Sequence, residues 1–142
     1  MIRKILAITA TALPLLAFAL TPSSASAQSF TGNWPATVSG SGGSNGTECI
    51  TLVDNGSIGR PHSGQASFIF ENNKLFGTFQ VINNFIAITI QTGGGNGEGA
   101  GVVYTAPVSN GDIRKGVFEA VFGGNETDSG AVAFGVKNSC SN

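Results

Sequence analysis

The stretch from residue 67 to residue 91 constrains the fold of this chain more than any other part. It reads SFIFENNKLFGTFQVINNFIAITIQ and consists of three short apolar segments separated by the pairs Asn72-Asn73 and Asn83-Asn84. Apolar runs that are rich in β-branched and aromatic residues and bounded by turn-forming residues are typical of β-strands. Asparagine tolerates the positive φ angles of tight hairpin turns. The stretch therefore predicts an antiparallel meander of three strands.

The same alternation of strand and turn continues through the chain, and no stretch shows the apolar periodicity of an amphipathic helix. Eight short strands at regular spacing predict an all-β domain, either a single antiparallel barrel or a two-layer sandwich. The fifth strand, residues 85–91, is apolar at nearly every position, so we expect both of its faces to be covered. The predicted strands are residues 30–38, 49–53, 65–70, 75–81, 85–91, 101–106, 116–122 and 131–137.

The first 27 residues have the three-part layout of a secretory signal peptide. Arg3 and Lys4 precede an apolar run, and a segment of small residues ends in Ala25-Ser26-Ala27. The apolar run contains Pro14 and is shorter than a membrane-spanning helix requires, so cleavage after Ala27 is favoured over a membrane anchor. We expect a secreted protein, extracellular or periplasmic, with a single all-β domain over residues 28–142.

Charge excludes several classes of partner. Without the signal peptide the chain keeps five basic and eight acidic residues, a net charge of −3. The five basic residues are scattered, whereas binding to nucleic acid or to an anionic membrane surface requires clustered Lys and Arg. The sequence therefore predicts no nucleic-acid partner and no stable membrane anchor, and it leaves the oligomeric state open.

Cys49 and Cys140 both remain after cleavage. In an exported protein an even pair predicts a disulfide, which would stabilise the fold by up to ~4 kcal/mol in the chain-entropy model. In a strict up-and-down barrel, however, the start of the second strand and the end of the eighth lie about 15–20 Å apart. Either the strand count is off by one, a long loop carries a Greek-key crossover, or the two cysteines do not pair.

Two short motifs resemble those of the calycin superfamily, which includes the lipocalins and avidins. Phe30-Thr31-Gly32-Asn33-Trp34 carries the G-x-W of a first calycin strand, and residues 75–79, LFGTF, are similar to the G-T-aromatic of an avidin hairpin. The resemblance implies an eight-stranded antiparallel barrel whose mouth takes a small ligand. It does not extend to biotin, because Trp34 is the only tryptophan and the avidin tryptophan lining is absent.

The leading hypothesis is a secreted, non-enzymatic binding module that holds a small apolar ligand inside the barrel or an extracellular protein at its loops. The alternative is a structural or surface-interaction protein, or an inhibitor of an extracellular enzyme, with a solid core and functional loops at residues 40–47 and 92–99. An interior void above ~300 Å³ that is lined by Trp34 and phenylalanines would favour the ligand, and a packed interior would exclude it. The aromatic candidates for lining such a pocket, which could instead simply fill the core, are Trp34, Phe68, Phe79, Tyr104 and Phe118.

Enzymatic chemistry has weak support in the sequence. His62 and Ser63 with Asp54 could form a triad, but no G-x-S-x-G nucleophile elbow is present. Glu119 lies in mid-strand opposite a phenylalanine face, so it would be a buried acid only if its own face pointed inward. The other carboxylates weighed for a glycosidase pair occur mostly beside Gly or Asn in predicted turns; they are Glu71, Glu98, Glu126 and Asp128.

No cofactor is predicted. The glycine-rich residues 93–98 resemble a single turn of a calcium-binding repeat, but such repeats work in tandem. Gly95-x-Gly97-x-x-Ala100 fits a dinucleotide fingerprint, but a strand follows it where the fingerprint needs a helix. His62 is the only histidine and completes no zinc-type spacing with the cysteines, so no metal site is predicted either.

Overall fold

The computed structural model describes residues 29–56, 61–91, 99–123 and 126–142, with only the backbone of Glu126. The predicted signal peptide lies outside these residues, as does most of the predicted loop 92–99. Within the described ranges, no helix has the length and apolar character needed to cross a membrane.

The described chain is all-β, as the sequence predicts. Strand pairing is antiparallel throughout, and each of the eight predicted strands corresponds to one long strand. A ninth, two-residue strand was not predicted. The strands are β1 (Gly32–Gly40), β2 (Asn45–Asp54), β3 (Ser63–Phe70), β4 (Asn73–Ile82), β5 (Phe85–Gln91), β6 (Gly101–Ser109), β7 (Asp112–Ile113), β8 (Gly116–Phe122) and β9 (Glu126–Phe134).

Eight of these strands close into a barrel. Going round the barrel the order is β1, β2, β3, β4, β5, β6, β8 and β9, and β9 pairs with β1 while β5 pairs with β6. Closure removes the open sheet edges that a sandwich would leave. The fold is therefore a barrel, and it is consistent with the architecture that the calycin resemblance implies. The short β7 folds back on the end of β6 and stands outside the ring.

Tight turns join the strands of the central meander. Asn83 and Asn84 both have positive φ angles, so they form the two-residue hairpin loop that the sequence predicts. The other predicted turn is displaced by one residue. Glu71 and Asn72 have the positive φ angles, whereas Asn73 begins β4 and pairs with Phe70. Both loops have the two positive φ angles of type I′ turns, whose twist matches that of the strands.

The inward face of the barrel forms one apolar core. Side chains alternate along each strand, so every second residue points inward. A fully buried side chain of this kind contributes about 1.5–3 kcal/mol relative to an exposed one. The largest fully buried side chains are Trp34, Ile50, Leu52, Ile86, Ile88, Ile90, Tyr104 and Val132.

One end of the barrel is closed by the segment that precedes β1. The Phe30 ring is buried there, and its centroid lies 6.3 Å from that of Phe79 and 5.2 Å from that of His62. Trp34 donates its indole N–H to the carbonyl oxygen of Phe30 over 3.0 Å. Asp54 accepts hydrogen bonds from the Phe30 amide at 3.2 Å and from His62 Nδ1 at 2.7 Å. We call this end the closed end and the other end the mouth.

The expected double covering of β5 is wrong. Ile86, Ile88 and Ile90 point inward and are buried, but Phe85 on the outer face is exposed. In a barrel built from a single sheet the outer face has no second layer over it. Apolar residues on both faces of a strand therefore do not by themselves indicate enclosure.

Cys49 and Cys140 form a disulfide, with Cα atoms 5.8 Å apart. The sequence predicted strand ends that would place the two cysteines far apart, and those strand ends differ from the observed ones in two ways. β2 begins at Asn45, four residues before Cys49, so the cysteine lies in mid-strand and faces outward. β9 ends at Phe134, three residues before the predicted end, and the chain beyond it runs along β1 and turns at Asn138, whose φ is 64°. The tail thus crosses the outside of β1 to reach β2.

Candidate ligand-binding cup

The barrel is open next to the mouth. A pocket of about 900 Å³ lies there, and it is lined both by inward-facing residues of the barrel and by residues on its outside, including the disulfide of Cys49 and Cys140. Inward positions near the mouth combine small residues, such as Gly46 and Ala120, with larger ones, such as Phe68 and Phe118. The small side chains do not reach the barrel axis, which leaves room between the larger ones. We call this pocket the cup.

The wall of the cup is mostly apolar and is contributed by nearly every strand of the barrel. Its volume falls in the range of about 300–1,000 Å³ that is typical of small-molecule pockets. The apolar side chains that line it include Val38, Phe68, Leu75, Ile90, Val102, Phe118, Ala120 and Phe122.

A polar pair crosses the floor of the cup. Glu48 lies on β2 and Tyr104 on β6, and these two strands are diametrically opposite in the ring of eight. The Tyr104 hydroxyl donates a hydrogen bond to Glu48 Oε2. Both residues line the cavity, Glu48 half-buried and Tyr104 almost completely buried. Among the described residues, this is the only side-chain hydrogen bond that joins opposite strands across the inside of the barrel. It lies where the cup meets the packed core.

Burial changes the acid–base properties of both groups. Desolvation raises the pKa of the Glu48 carboxyl, and the hydrogen bond from Tyr104 opposes this only in part. Desolvation, together with the nearby Glu48 charge, raises the pKa of Tyr104 far above its usual value, so the phenol stays protonated and acts as the donor. A carboxylate held in this way is short of positive charge and of hydrogen-bond donors.

The rim of the cup is held in shape by Asp128. Its buried carboxylate accepts hydrogen bonds from the amides of Gly42 at 2.6 Å and Ser44 at 2.8 Å, both in the loop between β1 and β2, and from the amide of Ser129 at 2.7 Å. The hydroxyl of Ser44 and these amides lower the pKa of Asp128 well below the usual range for aspartate. The predicted functional loop 40–47 is shorter than expected, because β1 continues to Gly40 and β2 begins at Asn45. Asp128 ties the remaining turn, residues 41–44, to β9.

Acid is expected to loosen the rim. A lowered folded-state pKa stabilises the fold above the unfolded-state value, near 4 for aspartate, and that stabilisation is lost as the pH falls through the lower folded value. Replacing Asp128 by Asn should lower Tm by several degrees at pH 7 and flatten the fall of Tm between about pH 4 and pH 2. Thermal unfolding followed by circular dichroism at several pH values measures both effects.

Asp112→Asn is the matched control, because Asp112 is exposed and its Oδ2 lies 3.8 Å from Arg114 Nη2 in a surface pair. It should change neither Tm nor its pH dependence. An Asp128→Asn profile that stays parallel to the wild-type profile below pH 4 would contradict the role given to Asp128.

The five predicted pocket residues fall into two groups. Phe68, Tyr104 and Phe118 line the cup. Trp34 and Phe79 belong to the closed end, where both pack against Phe30, with ring centroids 6.4 and 6.3 Å from that of Phe30. All five side chains are buried inside the barrel. The sequence did not indicate their height along the barrel axis, because height depends on how the strands are staggered in the closed barrel.

Glu48 is the site residue that sequence reasoning missed. The predicted second strand began at Cys49, which left Glu48 in a loop. Alternation with the buried Ile50 and Leu52 was the signal that would have placed Glu48 on the inward face. The carboxylates that the sequence suggested as functional acids do not lie at the floor of the cup. Glu119 is exposed on the outer face, and Glu71 lies in a turn at the rim. Glu98 and the side chain of Glu126 lie outside the described residues.

His62 and Asp54, two members of the suggested triad, do meet. Burial tends to raise the pKa of Asp54, but hydrogen bonds from the amides of Gly56 and Phe30 and from His62 outweigh it and lower that pKa. The pair packs beneath Phe30 at the closed end of the barrel, opposite the mouth. Ser63 is exposed, and no hydrogen bond in the described structure joins it to His62. Through its contacts with Phe30, the pair of Asp54 and His62 holds the segment before β1 against the barrel.

No three metal-ligating side chains come together in the part of the chain that the structure describes. Comparisons with models of protein families, with curated proteins and with solved structures found no match.

Proposed function

We propose that this chain is a secreted, non-enzymatic binding module that takes up one small, largely apolar molecule through the mouth into the cup. The observation that carries the proposal is the cup, an open pocket of about 900 Å³ that includes the apolar inner wall of the barrel next to the mouth. A preformed apolar cavity with a few polar groups is the usual form of a small-molecule site. The layout of the first 27 residues supports secretion, and a disulfide is compatible with an extracellular or periplasmic location.

The cavity also weighs against the alternative of a solid-core surface protein or enzyme inhibitor. A barrel of eight strands can be filled by its own side chains, whereas the inner wall of this one borders an open pocket next to the mouth. The Asp54–His62 pair adds no support for an enzyme, because it lies at the opposite end from the cup and serves the packing of Phe30.

Binding of Nile red, a neutral apolar fluorophore, tests the proposal. The mature domain should bind it saturably with one site per chain. Val102 lines the cup, and replacing it by Trp should fill part of the cavity and weaken binding at least about tenfold, which corresponds to about 1.4 kcal/mol. Fluorescence titration gives the stoichiometry and the dissociation constant.

Val103→Trp is the matched control, because Val103 is the next residue on the same strand and is exposed on the outer face. It should leave binding unchanged. The proposal fails if the wild-type protein shows no saturable binding, or if Val103→Trp weakens binding as much as Val102→Trp does. The second result would place the dye on the outer apolar surface.

A further inference from the structure

We propose that the cup is selective for amphipathic amines, molecules with an apolar body and an ammonium group that pairs with Glu48 at the floor. This inference rests on the proposed function, because it names the class of ligand for the same cup. Its basis is the position of the Glu48–Tyr104 pair and the distribution of charge around it.

The Glu48 carboxylate at the floor has two oxygen atoms that can accept hydrogen bonds, and the described residues donate to only one of them. Tyr104 donates to one oxygen of the Glu48 carboxylate, Oε2, and no donor to Oε1 is found among the described residues. Glu48 is half-buried and lines the cavity, so its carboxylate borders the space that a ligand would fill. A desolvated carboxylate is stabilised by a partner that brings both positive charge and N–H donors.

The charges around the mouth have one sign. The ionisable side chains that line the cup are Glu48, Tyr104 and Glu71, with no Lys or Arg among the described lining residues. The undescribed residues 92–98 and 124–125 contain no Lys or Arg in the sequence either. Lys74 is close in sequence, but it alternates with the cup-lining Leu75, and its Nζ lies 5.6 Å from the ring centroid of the exposed Phe76.

The negative charge of the cup should favour some ligand head groups over others among molecules with the same apolar body. A carboxylate head group would meet Glu48 and Glu71 with like charge and no cation to offset the repulsion. An alcohol could donate one neutral hydrogen bond. An ammonium group could donate several charge-assisted hydrogen bonds to the free side of Glu48, and these are the stronger kind.

Displacement of Nile red by decylamine, decan-1-ol and decanoate at pH 7 tests the inference. The three compounds have chains of the same length and differ in the head group. For the wild-type domain we expect decylamine to displace the dye at a concentration about ten- to a hundredfold lower than decan-1-ol, as a charged hydrogen bond predicts. Decanoate should be the weakest competitor.

Glu48→Gln keeps the shape of the floor and removes its charge, so it should abolish the advantage of the amine over the alcohol. Glu71→Gln, which removes the same charge at the rim, should keep most of that advantage, since exposed charges are screened by salt. If Glu48→Gln fails to fold, the head-group series on the wild-type protein still decides the question.

Equal displacement of Nile red by decylamine and decan-1-ol in the wild-type protein would overturn the inference. An advantage of the amine over the alcohol that persists in Glu48→Gln, or that Glu71→Gln removes to the same extent, would overturn it as well. Two different results separate failure of the proposed function from failure of the inference about Glu48. A wild-type domain that does not bind Nile red contradicts the proposed function itself. A domain that binds the dye in the cup but shows no preference for the amine contradicts only the role of Glu48.

Discussion

Replacing Trp34 by alanine is expected to lower the free energy of unfolding by about 3–5 kcal/mol, the usual range for deleting a large aromatic side chain from a core. Trp34 is completely buried, and its indole N–H satisfies the carbonyl oxygen of Phe30. Removing it leaves a void at the closed end and an unpaired carbonyl group. Phe30 would lose one of the contacts that hold the segment before β1 in place.

Urea denaturation followed by circular dichroism measures this change, since Trp34 is the only tryptophan and its fluorescence is lost in the variant. Trp34→Phe keeps most of the apolar bulk and should have a smaller effect. Phe76→Ala is the surface control, because Phe76 is 62% exposed on the outer face. A loss below about 1 kcal/mol in Trp34→Ala, which is typical of surface substitutions and mild core changes, would show that the closed end is not packed as described.

Removing the disulfide should have an effect of similar size. The Cys49–Cys140 bond joins residues 91 positions apart, so it closes a loop that contains most of the domain. In the chain-entropy model a loop of this length stabilises the folded state by about 4 kcal/mol, because it restricts the unfolded chain. The double variant Cys49→Ser, Cys140→Ser should lose stability by up to this amount while keeping the barrel.

Chemical denaturation of the wild-type protein with and without dithiothreitol gives the same comparison without mutation. The double variant provides the control, since the reductant should not affect its stability. Because the bond lies on the outer face and anchors only the tail beyond β9, far-ultraviolet circular dichroism should be unchanged in the native state. Equal stability of the reduced and oxidised proteins would contradict the prediction.

Much of the fold could be predicted because its signals are local. Strand alternation and turn-forming residues are properties of neighbouring positions, and they located all eight barrel strands and the Asn83-Asn84 turn. The errors fell at strand ends. The segment that includes Thr127 and Asp128 resembles a turn in composition, yet β9 already runs through it, because pairing with β8 continues as far as Phe122 and Glu126. Long-range pairing overrode local preference there.

The candidate site was predicted only in part. Phe68, Tyr104 and Phe118 were expected to border a pocket, and they do line the cup. Glu48 was missed because a strand start four residues too late removed it from the alternation. The hydrogen bond between Glu48 and Tyr104 joins residues 56 positions apart. No local pattern relates two residues at such a separation.

By itself the sequence determined that the chain is all-β, that side chains alternate between two faces along its strands, and that Cys49 and Cys140 are the two cysteines available to pair. The alternation of side chains along a strand and the preference of certain residues for turns depend only on adjacent positions, so the sequence alone reveals them. The tertiary structure alone decided that β5 pairs with β6, that Phe30 packs against Trp34 at the closed end while the other end is open, and that Glu48 meets Tyr104 across the floor of the cup. These features depend on how eight strands are staggered around one axis, and the stagger is set by all of the pairings together.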